Sequence, residues 1–330
     1  MIKHIILKLL IISLLIISVG CSNTSNKVVQ KGIELQNIDF MNTIESTANR
    51  DKLPNTKSGG ISTGLYNENG AIEKELHFNY DKSDSIKKYI SIGNLIDADR
   101  VYKLILFVDY KQEVFKVDDR PAAIDFTFKL KAGETTEIPF ELPKLETGIH
   151  DILFVIVKSP DNKSLDEEYR KRTDLNHLLF IRFSVSIESD TVKETVNYNE
   201  FGIIEKNDML DGLFVSEKDN FKRWLTQKVK KNENINFYIR AGNNSNKETK
   251  EYAVINLFDW IQEDVVNDRK VIFLKVNNKE FAKVNSEFVV DVKEPGVYDL
   301  TTILVSNPYQ KLDIYNRGAE TGVRVGVTVE

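Results

Sequence analysis

Few residues of this sequence have the type and spacing that chemistry requires. Its 330 residues include one cysteine, Cys21, and four histidines. A single cysteine excludes an intramolecular disulfide and a cysteine-based zinc cluster. The histidines that follow Cys21 are His77, His150 and His177, and no H-x-x-x-H motif joins any two of them. We therefore expect no catalytic histidine cluster, no metal site and no cofactor.

One serine stands in a pattern that hydrolases use. Residues 60–64, Gly-Ile-Ser-Thr-Gly, match the G-x-S-x-G nucleophile elbow around Ser62. That elbow requires a buried strand before the serine and a helix after it. A polar segment precedes Ser62 and a strand pattern follows it, so the sequence favours an ordinary glycine-rich turn.

Two acidic loops contain oxygen ligands of the kind that bind calcium. They are Asp118-Asp119 and Asn67-Glu68-Asn69, and neither belongs to a D-x-D-x-D-G loop, which favours solvated loop acids. A carboxylate pair placed for glycoside hydrolysis stays open, because the chain has 50 acidic residues. An envelope hydrolase or carbohydrate-active enzyme is thus an alternative hypothesis, although no sequence feature singles out a pair of acids.

Composition narrows the class of protein further. The chain is 41% hydrophobic with a formal net charge of -5, so it is expected to fold. This negative charge is spread through the chain, which argues against a nucleic-acid partner, because a nucleic-acid binder carries a basic face that neutralises phosphates. The length is typical of two domains.

The N-terminal segment has the layout of an export signal. Lys3 and Lys8 precede an apolar run from Leu9 to Val19, which is shorter than the roughly 20 residues of a membrane span. The run ends at residues 18–21, Ser-Val-Gly-Cys, and a polar stretch follows at once.

This junction resembles the lipobox of bacterial membrane lipoproteins, and the richness in Lys, Asn and Ile resembles that of Gram-positive bacteria. The resemblance implies cleavage by signal peptidase II between Gly20 and Cys21, and attachment of a diacylglycerol, with fatty acids such as palmitate, to the Cys21 thiol. Two acyl chains hold a protein stably on a membrane. We therefore expect a signal peptide over 1–20 and a protein anchored on the extracytoplasmic face of the cell membrane.

The segment 21–60 is mostly polar and is interpreted as a tether. Within it, Ile33, Leu35, Ile38 and Phe40 have a spacing that could add a strand to the first domain.

The remainder of the chain is an internal repeat. Five sequence matches occur in the same order at offsets of 142 to 150 positions, which indicates a tandem duplication of a whole domain. The matched pairs are 64–66 with 212–214, 89–94 with 238–243, 102–110 with 252–260, 148–160 with 296–308, and 182–185 with 324–327.

Each copy alternates apolar and polar residues in short runs, as in 126–130 and 138–142. Such runs, separated by Gly, Pro, Asn and Asp, predict antiparallel sandwiches. The segments before His150 and Tyr298 resemble the tyrosine corner of immunoglobulin-like domains, with His150 a departure that should weaken the first corner. We predict an all-β protein with two tandem immunoglobulin-like β-sandwiches over 61–190 and 205–330, joined by a linker over 191–204. Each is expected to fold separately.

Residues 216–231 are ambiguous between a basic amphipathic helix and a strand. The repeat aligns Leu225 and Val229 with Leu76 and Tyr80. Residues 76–80 alternate apolar and polar side chains as a strand does, so a strand is predicted.

Two sets of residues are interpreted as structural. The basic residues around Trp224 are candidates for contact with wall polymers or lipid phosphates, but protection of an edge strand is favoured; they are Lys222, Arg223, Lys228, Lys230 and Lys231. Alternation places Tyr110 with Leu104, Leu106 and Val108, so it and Trp260 are interpreted as core aromatics.

The connections between the last two strands of each copy are the candidate binding loops. They contain tyrosine and arginine, which dominate interface energetics; the residues are Tyr169, Arg170 and Arg172 in the first copy, and Tyr309, Tyr315 and Arg317 in the second. The favoured function is an anchored binding or interaction protein with an unknown ligand, whose partner is a cell-envelope protein or polysaccharide. A hydrolase and a structural spacer are the alternatives.

Overall fold

A computed structural model describes residues 32–35, 59–172, 178–192, 196–206, 209–245 and 248–330. The predicted signal peptide, Cys21, His177 and most of the tether lie outside the described residues. Residues 31–330 cluster as one compact unit.

Short alternating runs form strands throughout, because alternate residues can face a core while the others face away from it. The first sandwich contains β1 (Ile33–Leu35), β2 (Ile61–Tyr66), β3 (His77–Tyr80), β4 (Lys87–Asn94), β5 (Arg100–Val108), β6 (Lys111–Glu113), β7 (Lys116–Val117), β8 (Asp125–Leu130), β9 (Thr135–Glu141), β10 (Gly148–Lys158) and β11 (Leu179–Ile187), with one helix, α1 (Glu167–Arg172). The second contains β12 (Ile203–Lys206), β13 (Gly212–Ser216), β14 (Thr226–Val229), β15 (Asn234–Asn243), β16 (Thr249–Phe258), β17 (Ile261–Glu263), β18 (Ile272–Asn277), β19 (Glu280–Val289), β20 (Gly296–Ser306), β21 (Ala319–Thr321) and β22 (Val325–Val329).

Each sandwich pairs a larger sheet with a four-stranded one, so the predicted all-β fold of two immunoglobulin-like sandwiches is confirmed. The sheets of the first copy run β1-β8-β5-β10-β11-β3, with β6 on β5, and β2-β4-β9-β7. Those of the second run β14-β22-β20-β16-β17, with β18 on β16 and β21 on β20, and β12-β19-β15-β13. Neighbouring strands are antiparallel except at three parallel pairs, β1 with β8, β3 with β11, and β14 with β22.

Part of the tether joins the first sandwich. Ile33 and Leu35 lie in β1 and pair with Phe126 and Phe128 of β8. The strand anticipated from their spacing is present, and Ile38 and Phe40 lie outside the described residues.

The predicted linker overlaps the second sandwich. Tyr198 forms a bridge to Phe273 and Ile203 begins β12, so residues within 191–204 already pair with second-copy strands. These bonds cover edges of β18 and β19 whose backbone groups would otherwise be unpaired.

The ambiguous segment 216–231 contains a strand and no helix. Its strand is β14, which lies 149 positions after β3, and a loop of residues 217–225 precedes it. Both strands pair parallel to the last strand of their own sandwich. The repeat therefore predicted the structure of this segment correctly.

The described residues form three apolar clusters, one inside each sandwich and a third between them. The third cluster takes buried residues from both larger sheets: Ile105, Phe107, Tyr110, Leu153, Val155, Val157, Leu178, Ala253, Ile255, Leu257, Trp260, Ile303 and Val305. Strands β5 and β10 are apolar on both faces because one face covers the core and the other covers the second sandwich. Separate folding of the two copies stays a prediction, since each alone would expose this surface.

Candidate functional site

A buried ion pair lies at the contact between the sandwiches. Arg182 Nε donates to Asp151 Oδ1 at 2.8 Å, and its Nη2 donates to Asp151 Oδ2. Tyr110 donates its hydroxyl proton to the same carboxylate at 2.5 Å. Burial, followed by the charge of Asp151, raises the pKa of Tyr110 well above its usual value, which keeps the hydroxyl protonated as the donor.

The same arginine reaches the second sandwich. Arg182 Nη1 donates to the carbonyl of Ser306 at 2.5 Å, and Nη2 donates to that of Asn307 at 3.2 Å. Burial alone would lower the pKa of Arg182, but the charge of Asp151 and the hydrogen bonds outweigh burial and raise it. The guanidinium therefore stays charged and ties the two sandwiches together.

The second sandwich repeats this arrangement in the opposite direction. Arg324 Nη2 donates to Asp299 Oδ2 at 2.7 Å, and Nη1 donates to the carbonyl of Lys158 in the first sandwich at 3.2 Å. Asp299 also accepts from Arg170 Nη1 and Nη2, each at 3.2 Å. Asp299 therefore has two arginine partners where Asp151 has one.

A reciprocal pair of glutamines completes the contact. The backbone N–H of Gln112 donates to Gln262 Oε1 at 2.8 Å, and the N–H of Gln262 donates to Gln112 Oε1 at 2.7 Å. Equivalent groups on the two copies thus bond to each other, as at the two-fold axis of a dimer. The interface is an intramolecular version of an isologous contact.

Two strained turns place aromatic rings in this interface. Asp109 and Tyr110, and likewise Asp259 and Trp260, have positive φ values between 48° and 74°. Two such residues form the hairpin turn that matches strand twist, usually with Gly or Asn. Tyr110 is buried as predicted, but it packs with Ile105 and Phe107 rather than with Leu104 and Leu106, because the turn reverses the alternation.

The two candidate loops cross over to the opposite sandwich. Leu312 is buried in the first core, and its N–H donates to Ser184 Oγ at 2.9 Å. At the equivalent position of the second copy, Gly326, a Cβ would meet the Arg170 guanidinium at 2.6 Å, so glycine allows that arginine to enter. Each loop therefore clamps the other copy.

The six candidate residues divide into interface residues and exposed residues. Arg170 is buried against Asp299, and Tyr309 packs on Tyr110 at a ring separation of 5.3 Å. Tyr169 is exposed and accepts from Asn162 Nδ2, and exposed Arg172 pairs with Glu168 at 3.5 Å. Tyr315 and Arg317 are exposed.

Tyr315 stands on a turn that side chains hold in place. Asp313 Oδ1 accepts from the N–H groups of Tyr315 and Asn316 at 2.7 and 2.9 Å. Asn316 Oδ1 accepts from the N–H of Asp313 at 2.7 Å, and Asn316 Nδ2 donates to the carbonyl of Lys311 at 3.0 Å. The turn points Ile314 and Tyr315 into solvent, with 56% and 85% of their surfaces exposed.

The remaining chemical candidates have structural positions. Ser62 lies inside β2, paired with Gly93, and β2 continues to Tyr66 where an elbow would begin a helix. His77 bonds to Ser184 Oγ at 2.9 Å, and burial followed by the charge of Lys311 lowers its pKa. Among the described residues, no group of three or more His, Cys, Asp or Glu is placed to hold a metal ion.

The loop candidates for calcium are also structural. Asn67 Oδ1 caps its own turn by accepting from the N–H groups of Asn69 and Ala71. Asp118 pairs with Arg120 at 3.4 Å.

The basic residues around Trp224 separate into two groups. Lys228 lies on the edge strand β14, with Lys230 and Lys231 just beyond it, while Lys222 and Arg223 lie in the preceding loop. Trp224 itself is buried against Phe237.

The corner motif is present in both copies. Tyr298 donates its hydroxyl proton to the carbonyl of Glu294 at 2.5 Å, and His150 Nε2 lies 2.7 Å from the equivalent carbonyl of Glu146. His150 Nδ1 also lies 2.7 Å from Asp109 Oδ2. A neutral imidazole donates to one of these two acceptors and an imidazolium donates to both. The histidine therefore has a hydrogen-bond partner at the corner, and a weaker first corner stays a prediction.

Sequence reasoning missed the interface residues Asp151, Arg182, Asp299 and Arg324. The repeat contained the signal, because both matched segments place a charged residue inside an apolar strand at equivalent positions. A charge in such a strand requires a partner.

No helix in the described part of the chain has the length and hydropathy of a membrane span. No protein family matches the sequence, and no curated protein matches it. Among solved structures, similarity is found to the CARDB domain of the PF1109 protein from Pyrococcus furiosus, determined with di-metal ions, at 11% identity and a TM-score of 0.26 over 39% of this chain and 94% of that one. Similarity to red sea bream transglutaminase is at 9% identity and a TM-score of 0.23, over 82% of this chain and 31% of that one. By its own sheet topology the chain is a tandem β-sandwich protein.

Proposed function

We propose that this protein is a membrane-anchored extracytoplasmic binding lipoprotein that contacts its partner through the loop of residues 307–318. Its lipid is attached at Cys21 after cleavage behind Gly20, and the partner is a protein or polysaccharide of the cell envelope. The observation that carries the binding role is the exposed pair Ile314 and Tyr315 on a fixed turn.

The geometry of this turn supports a binding role. Exposed large apolar side chains favour contact with a partner, and tyrosine is enriched among residues that dominate binding energy. Binding through an already ordered loop loses less conformational entropy than binding through a flexible one. Four side-chain hydrogen bonds and the burial of Leu312 fix the loop before any partner arrives.

The interdomain contact also supports this role. The two arginines and the glutamine pair hold the sandwiches in one orientation, so the loop has a fixed direction relative to both. Arg317 follows Tyr315 by two residues and is exposed, so the same loop also offers a charged hydrogen-bond donor.

The anchor is tested by replacing its attachment atom. Because only a thiolate forms the thioether, Cys21→Ser leaves no attachment site in a chain with one cysteine. We expect wild-type protein to carry labelled palmitate, to partition into detergent and to begin at Cys21, and the variant to carry no label. Labelled palmitate on the variant, or a wild-type N-terminus elsewhere, would refute the anchor.

The contact loop is tested by capture from intact envelopes with immobilised mature chain. We expect Ile314→Ser/Tyr315→Ser to lose the captured material, by about tenfold or more for a pair of interface anchors. Val289→Ser is the matched control, because Val289 is another exposed apolar residue and lies on β19, away from the loop. Equal capture by all three proteins would show that this loop is not the contact site.

A further inference from the structure

An exposed phenylalanine marks a second surface, on the outer side of the second sandwich. Phe221 lies in the loop between β13 and β14 and exposes 56% of its surface. Its ring rests on Phe214 and Phe281, at centroid separations of 5.3 and 5.9 Å. The ring therefore covers aromatic side chains with one face and meets solvent with the other.

A buried arginine fixes the loop that carries this ring. The Arg240 guanidinium lies 4.8 Å from the Phe221 ring centroid. It donates to Ser216 Oγ at 2.7 Å, to the carbonyl of Asn220 at 3.1 Å and to Asp219 Oδ1 at 2.5 Å. The position of Phe221 is thus set by the sheet beneath it.

Two exposed cations follow Phe221 in the chain. Lys222 and Arg223 are both exposed, and within the described residues neither forms an ion pair. The nearby carboxylate of Asp219 is occupied by Arg240 and by Lys283, at 2.5 and 3.0 Å. Its negative charge is therefore compensated, and the surface beside the ring is locally cationic.

The equivalent loop of the first sandwich has the opposite character. Residues 67–76 contain three glutamates, Glu68, Glu73 and Glu75, one lysine, Lys74, and no aromatic residue. The fold therefore requires neither an aromatic ring nor a surplus of positive charge here, and both are properties of the surface of the second copy.

We propose that Phe221, Lys222 and Arg223 form a contact surface for an anionic lipid bilayer. Aromatic rings settle at the level of the lipid headgroups, and Lys and Arg near anionic headgroups each contribute about 1 kcal/mol of attraction. The proposal rests on the proposed membrane location, and it makes the second sandwich lie on the membrane that holds the anchor.

The test uses the mature chain from Cys21 onward, without lipid, and vesicles of phosphatidylcholine with or without phosphatidylglycerol. Removal of residues 1–20 leaves the compact unit of residues 31–330 whole. We expect co-flotation with the phosphatidylglycerol vesicles only, and we expect it to fall about thirtyfold for Lys222→Glu/Arg223→Glu, which is the converted attraction of two cations at about 1 kcal/mol each. We also expect Phe221→Ser to weaken binding, and salt to weaken it in the wild type.

Lys116→Glu/Lys131→Glu is the matched control, because it makes the same change in net charge on exposed residues of the first sandwich. Unchanged binding by this control is expected. Equal wild-type binding to both vesicle types, absence of binding, or equal loss in the control would each overturn the proposal. An acidic protein partner for this surface would appear as absence of vesicle binding. Palmitate labelling of Cys21 reports on the anchor alone, so failure of the lipid surface is distinguishable from failure of the proposed function.

Discussion

The first sandwich holds its interfacial aspartate with one arginine, and the second holds the equivalent aspartate with two. Asp151 is paired with Arg182 and accepts from Tyr110, whereas Asp299 is paired with both Arg324 and Arg170. The additional arginine, Arg170, lies in the loop of the first copy that crosses to the second sandwich. The equivalent loop of the second copy inserts Leu312 into the core of the first sandwich and adds no arginine there. The two copies therefore share the aspartate–arginine pair at the contact. They differ in the side chain that each crossed loop inserts into the other copy.

The largest effect should come from removing an interfacial arginine, and it should differ between the copies. Arg182→Ala leaves the buried Asp151 carboxylate without a cation, and breaking a buried pair in this way costs about 3 to 5 kcal/mol. Arg324→Ala leaves Arg170 on Asp299, so about half of that loss is expected. Chemical denaturation of each variant measures the two free energies of unfolding.

Arg182→Ala should lower the free energy of unfolding more than Arg324→Ala does. Equal destabilisation would show that Arg170 does not compensate for Arg324. If Arg170 does compensate, Arg170→Ala in the Arg324→Ala background should raise the loss to that of Arg182→Ala, because Asp299 then has neither arginine.

The corners of the two sandwiches should differ by a smaller amount. Tyr298→Phe removes one hydrogen bond, to Glu294, and should cost about 1 kcal/mol. His150→Phe removes the contacts to Glu146 and Asp109, of which a neutral ring makes one by donation and an imidazolium both, and it should cost about 1 to 2 kcal/mol. Thermal unfolding of both variants measures the difference, and a larger loss for Tyr298→Phe would show that the histidine corner is the weaker one.

The smallest effect concerns pH and His77, whose equivalent in the second copy is Thr226. Burial first, and then Lys311, lowers the folded pKa of His77 below its usual 6.5, against opposing contributions from Asp190 and Asn79. The unfolded chain therefore binds this proton more readily than the folded one. Its contribution to stability is complete above about pH 6.5 and is lost as the pH falls through the folded pKa.

His77→Thr, which copies the second sandwich, should remove this component of the pH dependence. Urea denaturation of wild type and variant between pH 5 and 8 measures it. The stability difference should change in favour of the variant as the pH falls, and parallel curves would contradict the assignment.

Local sequence patterns predict many of the strands, because the residues of a strand alternate with a simple period of two. Residues 77–80 and 226–229 were placed as equivalent strands from an offset alone, and the structure confirms both. Tyr110 shows where alternation fails: a two-residue turn changes which sheet face the next side chain meets. Arg170 and Tyr309 were candidate ligand contacts because they lie in long loops, but the structure buries Arg170 against Asp299 and packs the half-buried Tyr309 on Tyr110.

The sequence by itself determined the all-β class, the duplication and the corner residues, because each depends on neighbours a few positions apart or on direct comparison of the copies. Only the tertiary structure decided which surface of each larger sheet is covered, which carbonyls Arg182 and Arg324 reach, and that Tyr315 and Phe221 stay exposed. Those contacts join residues more than 100 positions apart. They depend on how two finished sandwiches fit together, and no periodicity within either sequence copy encodes that fit.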